Sequence, residues 1–259
     1  MANIKIIVAT HKIYEMPLEK MYLPVRSGAA LNDNSFGYQP DDVGDNISSK
    51  NLNYSELTAL YWAWKNLNSD YKGLVHYRRY FANGTHFSIF RTGKFNEILT
   101  EKKLNELLSK NDVILPSLRH YYIETVKSHY EHTHHKEDLE ITREVLCSLF
   151  PEYVGSFDEI LSRKSAHMFN MMIMKSELFD GYCEWLFGIL NKVEEKLDIS
   201  SYSAFHARVF GRISEILLDV WIDKNGIQYK EIPVMFMENQ NWTKKIIKFL
   251  KAKFLKKRY

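Results

Sequence analysis

The densest chemistry in the sequence is His76-Tyr77-Arg78-Arg79-Tyr80-Phe81, which packs two guanidinium groups, an imidazole and three aromatic rings into six residues. Such a group suits an anion. A guanidinium grips a phosphate through two parallel N–H donors, and fixed Arg and His donors neutralise the charge that grows on a departing diphosphate. In extended chain, alternation puts His76 and Arg78 on one side and Arg79 on the other. One guanidinium then takes the phosphate, while the other pairs with a buried carboxylate such as Glu56. The competing reading is two ordinary ion pairs at a domain seam.

Proton abstraction needs a carboxylate of raised pKa. Glu215 is the first choice, because it lies between Ile213 and Leu217 in an apolar helical stretch where desolvation disfavours its charge. Asp138 is the second. It borders a cluster of His129, His132, His134 and His135, with Glu131 and Glu137 beside it. Zinc sites use these residue types, but the spacing fits no zinc signature and HExxH is absent, so no metal site is assigned. Contact with sugar hydroxyls through His132, His134 and His135, or a solvated helix start, is the preferred reading. Asn46-Ile47-Ser48-Ser49-Lys50-Asn51 precedes an apolar helix; its Ser and Asn side chains can cap that helix, and Lys50 adds a point charge for phosphate. The GxGxxG, GxxxxGK[ST] and GxSxG patterns are missing, which argues against the common dinucleotide, P-loop and α/β-hydrolase sites. Asp41-Asp42 and Asp45 fall in a loop, so there is no Asp-x-Asp at a strand end.

These residues must be carried by an alternating set of elements. The apolar run Ile4–Ala9 reads as a buried opening strand that ends at Thr10-His11-Lys12. Residues 13–50, rich in Gly, Asn, Asp and Pro, read as long loops. Tyr54–Leu67 is apolar on both faces, which predicts a core helix, and Gly73–His76 a short strand leading into the Arg-Arg segment. Helices are expected over Glu101–Lys110, Lys136–Phe150, Glu177–Leu197 and Ala204–Ile222. Strands are expected over Asp112–Leu115, Met168–Met174 and Gln228–Ile232. Such alternation predicts an α/β fold with a central, mostly parallel sheet and a helix-rich C-terminal half. Ligands then bind beyond the carboxyl ends of the strands, which singles out Thr10-His11-Lys12 and His76–Phe81.

With 259 residues, 45% of them hydrophobic and 26% charged, the composition is that of a globular chain with a sizeable core. Two cysteines exclude a disulfide framework and fit a reducing cytoplasm. No uncharged apolar run of spanning length and no signal-peptide pattern is read. The net charge of +3 is misleading. Thr243–Tyr259 holds eight basic residues and no acid, which leaves 27 basic against 32 acidic residues in the body. An acidic body argues against nucleic-acid binding. In helical projection Trp242, Ile246, Ile247, Phe249, Leu250 and Phe254 oppose Lys244, Lys245, Lys248, Lys251 and Lys256, while Lys253, Leu255 and Lys257 break the pattern. That pattern predicts a basic amphipathic C-terminal helix on an anionic membrane surface, with docking on the acidic body as the alternative. The division expected is a domain over 1–241 and a membrane-associating tail over 242–259.

The string NISSKNLNYSELTALYWAWKN, followed by DYKGLVHYRRYF, closely resembles the hallmark of a bacterial glycosyltransferase family that long carried only a domain-of-unknown-function label and occurs in capsule, exopolysaccharide and lipopolysaccharide gene sets. IKIIVATHK, HYEHTHHKEDLE, FNMMIMKSELFDGYCEWLFGIL and RVFGRISEILLDVW are similar to its further blocks, in the same order, up to about Ile232. The resemblance implies a GT-A-like nucleotide-sugar fold and an inverting transfer from a UDP-sugar, with galactofuranose or galactose the leading donors. It implies that Thr10, His11 and Lys12 meet the nucleotide, and that Asn46, Lys50 and Tyr54 line the same cleft. His76, Tyr77, Arg78 and Arg79 would stand where metal-dependent relatives place Asp-x-Asp, which implies diphosphate stabilisation without a metal cofactor. Asn170 would face the acceptor or donor sugar. One departure is the last block: Glu215-Ile216-Leu217 stands where the family has a Glu-Arg-Leu core, with Arg212 one turn earlier. The expected acceptor is a lipid-linked glycan, and the expected location the cytoplasmic face of the bacterial membrane, held peripherally. A non-catalytic nucleotide-sugar or glycan-binding subunit of a membrane assembly is the alternative.

Overall fold

The computed structural model describes residues 2–32, 37–84 and 95–238. The amphipathic tail expected over 242–259, and its boundary, lie outside the described residues. The chain runs β1 (Ile4–Thr10), β2 (Tyr22–Arg26), β3 (Gln39–Pro40), α1 (Asn51–Tyr54), α2 (Leu57–Asn66), β4 (Tyr71–His76), β5 (Arg79–Phe81), α3 (Glu101–Leu108) and β6 (Val113–Pro116). There follow β7 (Arg119–His120), α4 (Val126–Thr133), α5 (Lys136–Leu149), α6 (Val154–Ser162), β8 (Ser165–Ala166), β9 (Met172–Lys175), α7 (Ser176–Lys196), α8 (Val209–Lys224), β10 (Lys230–Ile232) and β11 (Val234–Phe236).

The main sheet has the order β10-β6-β9-β4-β1-β2-β3. β9 is antiparallel to both its neighbours, and the other six strands of this path run the same way, so the sheet is mixed but mostly parallel. A small antiparallel arm of β5 and β11 projects from the end of β4. The continuous apolar runs follow from burial on both faces. Ile4, Ile6 and Val8 point into one apolar cluster, shared with Val75, Ile114, Ile173 and Leu104 of α3. Ile7, Ala9, Leu74, Val113, Met172 and Met174 point into the other, against α2 and the helices α5 to α8. The period-2 alternation of side chains sorts them strictly.

Several expectations are corrected locally. Residues 13–50 are not all loop: β2 and β3 extend the parallel edge, hidden in the sequence because each is short and broken by proline. The helix expected over Tyr54–Leu67 breaks at Ser55, whose φ of 54° and ψ of −129° leave the helical region. Met168–Met171 turns before β9 begins, with φ of 79° at Phe169 and 52° at Asn170. α8 also starts at Val209, five residues after the expected Ala204, and α4 and α6 were not predicted as separate helices.

Parallel direction brings the useful ends together. Ala9 of β1 pairs with His76 of β4, and the Tyr77 N–H donates to the Ala9 carbonyl at 3.2 Å. Because β9 runs the other way, its N-terminal approach through Phe169 and Asn170 arrives at this same edge. Gly73 permits the close β4–β9 approach: a Cβ there would stand 2.8 Å from the Met172 carbonyl oxygen.

Candidate active site

A cavity of about 670 Å³ opens at the carboxyl ends of β1 and β4. Its floor comes from Thr10 and His11, from the His76–Arg79 segment and from Phe169. Glu56 and Ser55 line the break between α1 and α2, and Arg208, Arg212 and Glu215 line the start of α8. Arg119, just after β6, completes the wall. Five arginines thus face two carboxylates, so the cavity is cationic although the body of the chain is acidic.

The His76–Arg79 segment is not extended. His76 pairs with Arg79 across a two-residue turn made by Tyr77 and Arg78, and all four residues line the cavity. The expected alternation fails because β4 ends here and β5 folds back. His76 Nε2–H donates to the Phe169 carbonyl at 2.5 Å. Burial holds the His76 pKa below the ordinary histidine value, against the opposing pull of Glu56. Arg79 packs its guanidinium 4.5 Å from the Phe169 ring centre, and its buried Nε has no hydrogen-bond partner among the described residues. A buried donor without an acceptor is costly unless a ligand satisfies it. Arg78, by contrast, forms an ion pair with Glu238 at 3.2 Å. At the end of β1 the Thr10 hydroxyl donates to the Lys12 carbonyl at 2.7 Å and bends the chain. His11 then meets Tyr77 edge to face at 5.4 Å, and Lys12 Nζ stands 5.2 Å from the same ring's centre. Burial, with Arg78, Lys12 and Arg208 nearby, lowers the His11 pKa.

Glu215 is the carboxylate at the centre of this charge. Its pKa is pushed up to about 7, by desolvation first and by neighbouring Glu56 second, against the pull of Arg79 and Arg119. Glu56 accepts a hydrogen bond from Asn170 Nδ2 at 2.8 Å. The same Nδ2 donates to the Gly211 carbonyl at 2.8 Å, and the Ser214 hydroxyl donates to Asn170 Oδ1 at 2.8 Å. Asn170 therefore ties the turn before β9 to α8 and to Glu56. It is fully buried and does not face the cavity, which corrects its expected contact with sugar.

Other expected residues are engaged elsewhere. Asp138 is 1% exposed and accepts from the Tyr130 hydroxyl at 2.9 Å and the Tyr202 hydroxyl at 2.7 Å, so the second candidate base is a buried structural acceptor. Lys50 pairs with Glu194 at 2.5 Å and the Tyr54 hydroxyl donates to the same carboxylate at 3.1 Å; neither lines the cavity. Asn46 accepts from the Ser48 N–H at 3.1 Å and donates to the Asp42 and Gly44 carbonyls, which staples its own loop. The histidines also divide. His129 and His132 donate to Glu124 at 3.0 and 2.8 Å, and His135 stacks on Tyr202 with ring centres 4.1 Å apart. His134 accepts from Arg212 at 3.2 Å, and burial with that cation takes its pKa down to about 3. None of His132, His134 and His135 lines the cavity; His134 meets it only through Arg212, which does. Among the described residues no group of three or more His, Cys, Asp or Glu side chains is arranged to hold a metal ion.

Arg119, Arg208, Ser55 and Phe205 were not singled out from the sequence. Arg208 and Arg212 stand four apart at the head of an apolar helix, a spacing that puts them on one face. Arg119 follows the proline that ends β6, so its position at a strand end was readable.

The chain matches, over residues 5–226, a family model described as a domain of unknown function, DUF4422. Among solved structures it is similar to the apo structure of WbbM, a bifunctional glycosyltransferase, with 30% identity and a TM-score of 0.85. The likeness covers 92% of this chain and 46% of that one, so this chain spans about half the length of the WbbM chain it matches. No curated protein matches the sequence. The likeness identifies the fold as GT-A-like, with its mixed central sheet and helix-rich C-terminal half.

Proposed function

From the chain's membership of the DUF4422 family, we propose that it is a glycosyltransferase of surface-polysaccharide synthesis, moving a hexosyl unit from a UDP-sugar to a hydroxyl of a lipid-linked glycan. The likeness to the bifunctional glycosyltransferase WbbM supports the reaction class. The observation that carries the reading is a strand-end cavity in which cations surround one carboxylate of raised pKa, Glu215.

In this reading the acceptor O–H gives its proton to Glu215. Its oxygen bonds to the anomeric carbon from the face opposite the nucleotide. The bond from that carbon to the phosphate oxygen breaks, and its electron pair leaves with the diphosphate. Arg79, whose buried Nε has no hydrogen-bond partner among the described residues, and Arg119, then His11, Arg78 and Arg208, answer the growing charge, and no divalent ion is required. Galactofuranose and galactose are the favoured sugars, from the family resemblance.

The test is a thermal-shift panel of UDP-, GDP- and dTDP-sugars, each with and without manganese or magnesium. UDP-sugars are expected to raise the melting temperature without metal, because a ligand bound only by the folded state stabilises it by mass action. A panel with no shift overturns the reading, and a shift that appears only with metal overturns its metal-independent part. Among the described residues no helix is long and apolar enough to cross a membrane. Membrane contact on the cytoplasmic face is proposed through the sequence of the tail alone, eight cations with aromatic and aliphatic residues between them.

A further inference from the structure

Two large apolar side chains stand exposed in the cavity and do nothing for a diphosphate. Phe205 is 57% exposed and Leu52 is 70% exposed, and both line a space otherwise ruled by cations and their partners. Scattered apolar residues are normal on a protein surface. Phe205 differs because it is held in place. The Arg212 guanidinium lies 4.1 Å from its ring centre, and Arg212 Nη2–H donates to the Phe205 carbonyl at 2.6 Å. Arg212 is anchored in turn on His134, whose ring centre lies 5.7 Å from that of Phe205, and His206 stands edge-on at 5.3 Å. A cation and two imidazoles therefore order an aromatic ring that the cavity leaves open.

The position of that ring matters. Arg212 precedes Glu215 by three residues on α8, so the two share a face about 5–6 Å apart. The aromatic group at the end of β1 is separate: His11, Tyr77 and Tyr14 meet with ring centres 5.4 and 5.0 Å apart. That group sits beside Lys12 and Arg78, where the parallel strands end.

We propose that Phe205, backed by Arg212 and sharing the cavity with Leu52, is the platform for the acceptor sugar, which lies with its apolar C–H face on the ring and its nucleophilic hydroxyl toward Glu215. The inference rests on the glycosyltransferase reading and names the substrate class of its second half-site: a neutral sugar ring with one continuous C–H face. Burying that face on an aromatic ring removes apolar surface from water, while the sugar's edge hydroxyls remain free to meet Arg208.

The experiment is saturation-transfer NMR on the full chain, with and without UDP, using methyl β-galactopyranoside, methyl β-galactofuranoside, methyl β-glucopyranoside and methyl α-mannopyranoside as probes. UDP affinity is measured in parallel by calorimetry. At least one glycoside is expected to receive saturation on the ring protons of one face. Phe205→Ala should weaken that glycoside at least tenfold, Phe205→Trp should restore it, and the UDP affinity of both variants should stay within twofold of the parent. The platform is overturned if no glycoside is saturated, if Phe205→Ala binds as well as the parent, or if UDP affinity falls in step with the sugar. Failure of the glycosyltransferase reading shows separately, as a parent protein that binds neither UDP nor a UDP-sugar, and it takes the platform down with it.

Discussion

Glu215 meets two demands that pull apart. As the proposed base it must be ionised, and as a buried carboxylate beside Glu56 it resists ionisation until about pH 7. Transfer is expected to rise with pH through about 7 and to lose that rising limb in Glu215→Gln, together with roughly 10²–10⁴-fold of rate, in an assay of UDP release with acceptor present. Stability runs the other way. Between the ordinary value of 4.5 and about 7 the folded state holds a proton that the unfolded chain has lost, so folding weakens as pH rises across that window. Glu215→Gln has no such proton, and it should unfold at higher denaturant than the parent at pH 8, by up to about 3 kcal/mol, and equally at pH 4. The arginines are not equivalent either. Arg79 has a buried Nε without a partner, whereas Arg78 is shared with Glu238. Arg79→Ala should cost about 2–4 kcal/mol of transition-state stabilisation, measured as kcat/KM, and Arg78→Ala less. A larger loss at Arg78 would reverse their roles.

At the scale of elements, the site depends on three interruptions of regular structure. The break at Ser55 turns α1 into α2 and presents Glu56; the Tyr77-Arg78 turn folds β5 back on β4; and the left-handed pair Phe169-Asn170 delivers a carbonyl to His76 and a ring to Arg79. None is signalled by glycine, so local propensity favoured a continuous helix and a continuous strand, and packing against α8 overrode both. Ser55→Val, with a β-branched side chain at φ 54°, should lose roughly 1–3 kcal/mol of stability, read from the urea midpoint. Gly73→Ala should lose about 1–3 kcal/mol by driving a Cβ into the Met172 carbonyl, with no direct effect on the cavity. An unchanged midpoint for Gly73→Ala would mean that β4 and β9 separate without cost.

The whole molecule separates charge. The body is acidic, the strand-end cavity is lined by arginines, and the C-terminal seventeen residues carry eight cations. Removal of Thr243–Tyr259 is expected to abolish flotation with liposomes containing anionic lipid and to leave UDP affinity within about twofold, since the tail pattern is that of an interfacial helix. Loss of UDP affinity in the truncated chain would assign the tail to the fold instead. β11 ends close to the cavity, where the Met237 N–H donates to the Arg78 carbonyl at 3.0 Å, so the last described residues already lie beside one of the cavity's arginines.

The succession of the longer strands and helices, and the meeting of the His76–Arg79 segment with Glu215 at the strand ends, could be read from the chain before folding, because apolar periodicity and local charge density are properties of neighbouring residues. The sequence ranks Glu215 above Asp138, but only packing sends one to a cavity and the other to two tyrosine hydroxyls. Folding likewise gave Lys50 and Tyr54 to Glu194, 140 or more residues away, and brought Arg119, Arg208 and Phe205 to a single wall. The physical reason is distance along the chain: a side chain's partner is decided by which elements the sheet order and helix packing bring together, and no local pattern carries that information.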